Sequence, residues 1–393
     1  MTDTVSTPIQ PAQSADPWTT PERVALRRLA RDFVAREIAP HMAEWEEAGE
    51  LPRELHRRAA AAGLLGVGFA EEVGGSGGNA IDSAIVTEEI LHGGGSTGVC
   101  ASLFTHGIAV PHIAANGTPE LVDRYVRPTL AGELIGSLGV TEPGAGSDVA
   151  SLRTRAVRDG DEYVVNGAKT FITSGVRADF VTTAVRTGDG GYGGVSLLVI
   201  DKGTPGFDVS RRLDKMGWRC SDTAELSFSD VRVPVSNLVG AENAGFVQIM
   251  QQFQSERLGL AVQAYATAAR ALDLAVEWAR QRETFGRPLS SRQVIRHKLA
   301  EMARQVDVAR AYTRVVMQRY LAGEDVVTEV SMAKNTAVYA CDHVVNEAVQ
   351  IFGGMGYMRE SEVERHYRDA RILGIGGGAN EIMNEVIGKR MGL

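Results

Sequence analysis

The spacing of the hydrophobic residues changes twice along this chain, and that change limits the folds open to it. From about residue 20, apolar residues recur every three or four positions, as one face of a helix requires. Between about 136 and 242 this period fades, and short β-rich runs separated by glycine, proline and aspartate replace it. From about 243 the helical period returns. The sequence therefore predicts a helical part, a β part and a second helical part.

Local signals in the first two parts place individual elements. Thr20 followed by Pro21 predicts a helix start, because proline is tolerated at the first helical position. Asp159-Gly160 and the dipeptide at 166–167 (NG) lie between β-rich runs, so both predict hairpin turns. Further strands are expected at 195–200 and 224–228.

The last part is expected to contain several long helices. Residues 246–282 form one amphipathic stretch, and further helices are predicted at 333–351 and 380–391. Ser290 and Gln293 have the spacing of a capping box, which predicts that the second long helix opens there.

These signals divide the 393 residues into four segments, and the length suffices for two or three domains with sizeable cores. Residues 1–18 are rich in Thr, Ser, Pro and Gln, which predicts a disordered tail. We predict an N-terminal helical domain over 19–135, a middle β domain over 136–242 and a C-terminal helical domain over 243–393.

Composition excludes several classes of function. The net charge of −8 argues against nucleic acid as the main partner. The sequence contains no run of 18 or more apolar residues, so no membrane span is predicted. The N-terminus is polar and lacks an apolar core, so no signal peptide is predicted. Cys100, Cys220 and Cys341 are far apart and match no disulfide or metal framework, so no metal site is expected. A reduced, cytoplasmic setting is the simplest one for such a chain.

A loop rich in proline and glycine follows the first β-like run. In residues 140–148 (VTEPGAGSD), Pro143 and Gly146 prevent regular structure. Such a turn exposes successive backbone N–H groups that can hold an anion such as a pyrophosphate, and Thr141 and Ser147 add hydroxyls. An ordinary loop between two strands would show the same composition, so spacing alone leaves both interpretations open.

Two charged residues fall on the apolar face of the long helix at 246–282. Glu256 continues the apolar series 249, 253, 260, and Arg257 continues 246, 250, 253, 261. Buried charges are costly unless they are paired or used. The two charged residues could simply pair with oppositely charged groups elsewhere in the chain, or lie at an edge of the helix that is exposed to solvent. A carboxylate in an apolar cleft would instead have a raised pKa suited to a general base.

Residues 374–379 (GIGGGA) match the dinucleotide fingerprint G-x-G-x-x-G/A in form only. Because 14 residues follow them, no βαβ unit can be completed, and a Rossmann site is excluded. The stretch is better interpreted as a turn between helices, or as a place where the backbone approaches a ligand.

From about residue 20 to Leu393 the chain resembles the acyl-CoA dehydrogenase family. The matching strings are VTEPGAGSD at 140–148, NGAKTFIT at 166–173, RETFG at 282–286, QIFGG at 350–354 and YRDARI at 367–372. The resemblance implies an α+β multidomain fold with an N-terminal helical domain, a middle β-barrel domain and a C-terminal four-helix bundle.

The resemblance also implies FAD, held at the subunit interfaces of a homotetramer. Positions that line the flavin ring and diphosphate are matched by Val140, Thr141, Gly146, Ser147, Phe171 and Thr173. Positions that reach the FAD of a neighbouring subunit are matched by Arg282, Phe285, Gln293, Gln350, Gly353 and Gly354. Asn380 is a further expected cofactor contact.

The C-terminal loop departs from the commonest pattern of the family. Many members place a catalytic glutamate where this chain has Gly377. The long-chain and isovaleryl-CoA types resemble this chain more closely, since they carry the base on a helix in a Glu-Arg dipeptide, which Glu256-Arg257 matches. Glu256 is thus the expected base, and the N–H of Gly377 is expected to polarise the thioester carbonyl. Arg257, Ser147 and Gly376 are expected to contact substrate.

The implied reaction is oxidation of an acyl-CoA to its trans-2-enoyl-CoA, with an electron-transferring flavoprotein as acceptor. Gly376 and Gly377 remove bulk near the thioester, which predicts tolerance of branched acyl chains. A flavin monooxygenase or oxidase on the same fold is one alternative. A non-catalytic CoA-binding protein is another, and a carrier-protein thioester remains a possible substrate.

Overall fold

Helices form both ends of the chain and a seven-stranded sheet lies between them, in a computed structural model that describes residues 16–393. The first helices are α1 (Pro21–Phe33), α2 (Met42–Ala48), α3 (Arg53–Ala61), α4 (Ala80–His92), α5 (Thr97–Leu103), α6 (His106–Ala109), α7 (Pro111–Asn116), α8 (Pro119–Leu121) and α9 (Arg127–Leu130). The later helices are α10 (Gly245–Gln281), α11 (Gln293–Leu321), α12 (Val327–Phe352), α13 (Glu362–Ala370) and α14 (Asn380–Arg390).

The strands occupy the middle of the chain, apart from one short hairpin. They are β1 (Gly136–Gly139), β2 (Arg155–Asp159), β3 (Glu162–Thr173), β4 (Phe180–Arg186), β5 (Val195–Asp201), β6 (Phe207–Arg212) and β7 (Thr223–Pro234). The hairpin consists of β8 (Glu283–Thr284) and β9 (Arg287–Pro288). The order helices, sheet, helices confirms the layout that the hydrophobic period predicts.

The helix start at Thr20 is confirmed, and the capping box at Ser290 is wrong. The hydroxyl of Thr20 accepts a hydrogen bond from the N–H of Arg23, and Pro21 is the first helical residue. Before α11, Ser290 lies in a 3-10 turn, Leu289–Ser291, that follows the β8–β9 hairpin. The helix therefore begins two residues later, with Arg292 at the N-cap and no capping side chain.

The sheet has the order β1-β4-β2-β3-β7-β6, with β5 paired to β4. β1 runs parallel to β4, and β2 forms an antiparallel hairpin with β3, so the turn predicted at Asp159-Gly160 is confirmed. The turn predicted at 166–167 is wrong, because those residues lie inside β3 at a register shift against β7. A Cβ at Gly167 would lie 2.6 Å from Cα of Thr154, so glycine is needed there for close strand approach.

Helices from the two ends of the sequence share one hydrophobic core. α1 and α4 pack together, and α4 packs on α10, while α10, α11 and α12 pack on one another. The short helices α13 and α14 pack against α12. A polar contact crosses the same junction, since Glu88 of α4 accepts hydrogen bonds from Tyr265 of α10 at 2.7 Å and Arg314 of α11 at 2.8 Å. The long helix α10 is thereby fixed on several sides.

The predicted tail over 1–18 differs from the structure at its end. Residues 1–15 lie outside the described part of the chain. Asp16 to Trp18 form a turn, and Trp18 is 2% exposed, with the guanidinium of Arg314 lying 4.3 Å from the centre of its ring. The tail prediction is therefore wrong for these three residues, because composition does not reveal that the indole has a place in the helical core.

Across residues 16–393 no single helix is long and apolar enough to cross a membrane. The segments Thr97–Leu103 and His106–Asn116, which meet at a bend, are long and apolar enough when taken together.

Candidate active site

The loop after β1 is a tight turn whose glycines face open space. Glu142 and Ala145 exchange backbone hydrogen bonds of 3.0 and 3.1 Å, which closes the turn around Pro143 and Gly144. A Cβ at Gly144 or Gly146 would meet no atom within 4 Å. Among residues 16–393, no atom fills the space beside these two glycines, so a ligand can approach the backbone of the turn closely.

A buried ion pair holds this loop from below. Nζ of Lys169 donates to Glu142 Oε1 at 2.8 Å and to the carbonyl of Val140 at 3.1 Å, and Lys169 has no exposed surface. Glu142 also accepts hydrogen bonds from the N–H groups of Arg153 and Thr154 at 2.6 and 2.8 Å. Burial lowers the pKa of Lys169 to about 8, although Glu142 opposes this shift. Burial alone would raise the pKa of Glu142, but Lys169 and the hydrogen bonds outweigh it and lower that pKa.

The end of β3 lies beside the loop and presents an aromatic ring to the surface. The N–H of Thr170 donates to the carbonyl of Thr141 at 2.9 Å, and Ser137 Oγ donates to the carbonyl of Thr173 at 2.7 Å. Phe171 is 68% exposed and has a φ of +60°. A bulky residue rarely adopts this left-handed conformation, and such strain is typical of functional sites. The structure thus brings together the predicted residues of 140–147 and 171–173.

A second group of predicted cofactor residues lies at one end of the C-terminal helices. The rings of Trp278 in α10 and Phe352 in α12 stack with centroids 4.7 Å apart, which brings the ends of these helices together. In the β8–β9 hairpin, Phe285 is 96% exposed with a φ of +50°. The members of this group are Arg282, Phe285, Gln293, Gln350, Gly353 and Gly354. In the part of the chain that the structure describes, no hydrogen bond joins this group to the 140–173 group.

Glu256 and Arg257 lie on α10 where the helix meets the C-terminal glycine turn, residues 376–378. Nε of Arg257 donates to the carbonyl of Gly377 at 3.3 Å. A Cβ at Gly377 would lie 3.6 Å from Glu256 Oε1. The carboxylate of Glu256 therefore reaches the point where a side chain at Gly377 would begin.

The environment of Glu256 suits a general base. The residue is half-buried, and burial raises the pKa of its carboxyl, while the charges of Arg257 and Lys334 oppose the shift. Burial lowers the pKa of Arg257, an effect that Glu256 partly offsets. A carboxylate with a raised pKa accepts a proton more readily than an exposed one at neutral pH.

Gly377 could not be replaced by a residue with a side chain without a shift in the structure. Its φ is +62°, and a Cβ there would lie 2.2 Å from Cδ1 of Leu260. Leu260 therefore fills part of the space that the glycines were expected to leave empty. Gly376 differs, because a Cβ there would meet its nearest atom, the carbonyl oxygen of Ile372, at 3.5 Å.

The sequence analysis missed two polar residues of α12 beneath the glycine turn. Nζ of Lys334 donates to the carbonyl of Gly378 at 2.6 Å, and Nδ2 of Asn335 donates to the carbonyl of Asn380 at 3.0 Å. Lys334 has no exposed surface. Its place on the apolar face of α12 was the available signal.

Asn380 begins α14, directly after the turn. Its Oδ1 atom is buried and has no hydrogen-bond partner among the described residues. Buried polar atoms usually have partners, so this oxygen marks a place where a bound molecule would supply a donor.

Comparison with known proteins places this site in a family. The N-terminal, middle and C-terminal domain profiles of acyl-CoA dehydrogenases match residues 20–133, 137–231 and 243–392. The chain belongs to the acyl-CoA dehydrogenase family. The family, the fold and the enzyme class expected from the sequence are therefore confirmed.

Individual relatives cover nearly the whole chain. The long-chain specific acyl-CoA dehydrogenase of Sus scrofa mitochondria is 39% identical over 373 residues, which are 94% of this chain and 86% of that protein. A crystal structure of a probable acyl CoA dehydrogenase from Mycobacterium abscessus is 83% identical, with a TM-score of 0.95 and coverage of 95% and 100% of the two chains. A glutaryl-CoA dehydrogenase from Mycobacterium smegmatis, solved in complex with FADH2, is 26% identical, with a TM-score of 0.88 and coverage of 96% of both chains.

The residues present fit FAD as the cofactor of this family member. The open turn at 144–146, the exposed ring of Phe171 and the unpaired Oδ1 of Asn380 offer backbone donors, an apolar surface and an acceptor. These are the kinds of group that a dinucleotide with a flat ring requires. FAD as cofactor and acyl-CoA dehydrogenation as the reaction class are accordingly confirmed at the level of the family.

Proposed function

We propose that the protein dehydrogenates an acyl-CoA thioester to the trans-2-enoyl-CoA, with Glu256 as the general base. The observation that carries this proposal is the approach of Glu256 Oε1 to the Cβ position of Gly377, at 3.6 Å. Glu256 thereby reaches the point from which other members of the family act with a loop glutamate. It takes the α-proton of the substrate as a hydride leaves the β-carbon.

A base alone does not suffice, because thioester α-protons are weakly acidic and the carbonyl must be polarised as enolate charge develops. The N–H of Gly377 donates to no described residue, so it is available for the thioester oxygen. Its carbonyl, in contrast, is held by Arg257. Gly377 therefore acts through its backbone, which explains why the position needs no side chain.

The remaining contacts orient the two large ligands. Arg257 supports the CoA part of the substrate, with Ser147 at the exposed loop and Gly376 beside the thioester. The loop and β3 residues, Val140, Thr141, Gly146, Ser147, Phe171 and Thr173, hold the flavin and diphosphate. Bound FAD supplies the two-electron acceptor for the oxidation.

Anaerobic bleaching of the bound flavin by a panel of acyl-CoAs tests the proposal. At least one thioester should bleach the wild-type flavin, and Glu256→Gln should slow this reaction by about 10²-fold or more, as expected for loss of a general base. Glu277→Gln is the matched control, since Glu277 lies exposed on the same helix. Near-normal reduction in Glu256→Gln would overturn the assignment of the base.

The same measurement separates two other functions. A flavin monooxygenase or oxidase on this fold would be reoxidised rapidly by oxygen after reduction, whereas a dehydrogenase would not. A non-catalytic CoA-binding protein would retain a yellow colour that no thioester bleaches. Glu256, a carboxylate at the base position, favours dehydrogenation over both.

The panel also addresses the breadth of substrates. Gly376 leaves room near the thioester, although Leu260 fills the space beside Gly377. We expect branched acyl chains to be accepted, and a panel in which straight chains alone bleach the flavin would contradict this. Comparing CoA thioesters with the same acyl groups on a carrier protein identifies the carrier.

A homotetramer and an electron-transferring flavoprotein are proposed partners. Phe285 and Tyr357 are 96% and 80% exposed in one chain, and a neighbouring subunit would cover such aromatic surfaces. The second group of cofactor residues would then reach the FAD of that neighbour. Light scattering of the purified protein and reoxidation by a purified electron-transferring flavoprotein test these two points. A cytoplasmic location remains a prediction from the three cysteines, all of which are buried free thiols.

A further inference from the structure

We propose that Lys334 is a positioning residue that fixes the glycine turn at 376–378 beside the proposed base, Glu256. This inference rests on the proposed role of Glu256. It assigns a function to a buried charge on α12, the helix that faces α10 across the active site.

Lys334 holds the turn from the side opposite to Arg257. Its Nζ donates to the carbonyl of Gly378 at 2.6 Å, whereas Arg257 on α10 donates to the carbonyl of Gly377 at 3.3 Å. Two successive carbonyls of the turn are thus tied to two different helices. A peptide group is planar, so fixing these two carbonyls also fixes the N–H groups of Gly378 and Ala379. The N–H of Gly377 lies one peptide earlier and is restrained indirectly, through the turn that the two bonds hold.

The neighbouring residue of α12 extends this support to the start of α14. Nδ2 of Asn335 donates to the carbonyl of Asn380 at 3.0 Å and to Oδ1 of Asn384 at 2.9 Å. Lys334 and Asn335 therefore anchor the chain on both sides of Ala379. A glycine-rich segment has many accessible conformations, so anchors of this kind are needed to keep one of them.

The charge of Lys334 has a second consequence. Burial, reinforced by Arg257, lowers the pKa of Lys334 to about 8, while Glu256 and Glu381 oppose the shift. At pH 7 and below, Lys334 is therefore mostly charged and belongs to a cluster of two positive and two negative side chains. Burying a charged lysine completely, as here, costs folding free energy unless the charge is paired or has a function. The positive charge lowers the pKa of Glu256, opposing the effect of burial. A base must be ionised before it can act, so the positive charge of Lys334 favours the active form of Glu256.

The test compares Lys334→Met, which removes both charge and donor, with Lys334→Gln, which keeps a donor without the charge. Lys215→Met is the matched control, because Lys215 also donates to a backbone carbonyl, that of Ser221, but lies between β6 and β7. The rate of flavin reduction in the holoenzyme is measured from pH 5 to 9. We expect the acid limb of this profile to move upward by roughly one unit in both Lys334 variants, as for loss of a nearby opposite charge. Lys334→Met should also lower the maximal rate about tenfold or more, because the donors of the turn no longer point at the substrate.

A double-mutant cycle measured by melting temperature tests the coupling between Lys334 and Glu256 without requiring the enzyme to turn over. Glu256→Gln should raise the melting temperature at pH 7 more in the Lys334→Gln background than in the wild type, since Glu256 then lacks one of its two positive neighbours. A difference on the order of 1–2 °C per pKa unit is expected for a chain of this size. Equal increases of the melting temperature in both backgrounds would overturn the role of Lys334. So would an acid limb of the flavin-reduction profile that stays at the same pH in the Lys334 variants. Failure of every thioester to bleach the wild-type flavin would instead overturn the proposed function, and the double-mutant cycle would still decide the coupling.

Discussion

The carbonyl oxygen of Gly377 accepts a hydrogen bond from Nε of Arg257, the residue that follows the proposed base in the helix. The turn that faces the substrate is therefore tied to the helix that carries the base. Movement of one would change the position of the other.

The rate of flavin reduction should rise with pH through the pKa of Glu256. That pKa is raised above 4.5 by burial, so the base is protonated and inactive at acid pH and ionised above its pKa. Anaerobic stopped-flow measurements with a saturating substrate would record this limb. A half-maximal pH at or below 4.5 would contradict the burial of the base.

Glu256 should also reduce the stability of the folded protein at neutral pH. A carboxyl whose pKa is raised on folding binds its proton more tightly in the folded state than in the unfolded state. The unfavourable contribution of Glu256 to the free energy of unfolding is absent below the pKa of the unfolded state, about 4.5. It grows as the pH rises from there through the pKa of the folded state.

Glu256→Gln should therefore raise the melting temperature at pH 8 and leave it almost unchanged near pH 4.5. Differential scanning calorimetry of both proteins at several pH values measures this difference. Glu277→Gln, exposed on the same helix, should show no comparable dependence on pH. A lower melting temperature for Glu256→Gln at pH 8 would show that the carboxylate has stabilising partners.

The phase of the hydrophobic residues was enough to find Glu256 and Arg257. The same argument applies to α12, where Lys334 shares a face with the buried residues Val330, Ala337 and Cys341. Lys334 thus carries the same sequence signal as Glu256, a charge on an apolar helix face. What the sequence could not reveal is the partner, since the carbonyl of Gly378 is 44 residues away and backbone atoms carry no sequence signal.

The fold was predictable where a local signal and the tertiary structure agree. Thr20 and Asp159-Gly160 are such cases, because cap and hairpin form within a few residues. Gly167 is the opposite case, since its small size allows the close approach of Thr154, the residue before β2. Trp18 likewise packs against residues that are distant in sequence, such as Arg314, which lies nearly 300 residues away.

A side chain at Gly377 should disturb the turn through two separate effects. Alanine with a φ of +62° costs about 1–2 kcal/mol in backbone conformation. Its Cβ would also lie 2.2 Å from Cδ1 of Leu260. We expect Gly377→Ala to lower both the melting temperature and the rate of flavin reduction.

A double-mutant cycle with Leu260→Ala separates these effects. Leu260→Ala removes the clash but not the backbone strain, so Gly377→Ala should destabilise the protein less in that background. Gly388→Ala is the matched control, because a Cβ there meets no atom within 4 Å. Equal costs in both backgrounds would show that backbone strain alone opposes a side chain at Gly377.

The ion pair between Lys169 and Glu142 should be needed to retain FAD. Lys169→Met would leave Glu142 buried without its partner and release the carbonyl of Val140, at a cost of about 3–5 kcal/mol. The loop at 140–148 would then lose its fixed shape, and the flavin content of the purified protein, measured by absorbance, should fall. The double variant Lys169→Met/Glu142→Gln should regain stability without regaining full flavin content, because it removes the buried charge but not the need to hold the loop. Full flavin occupancy in Lys169→Met would mean that the turn closed by Glu142 and Ala145 holds its shape without the lysine.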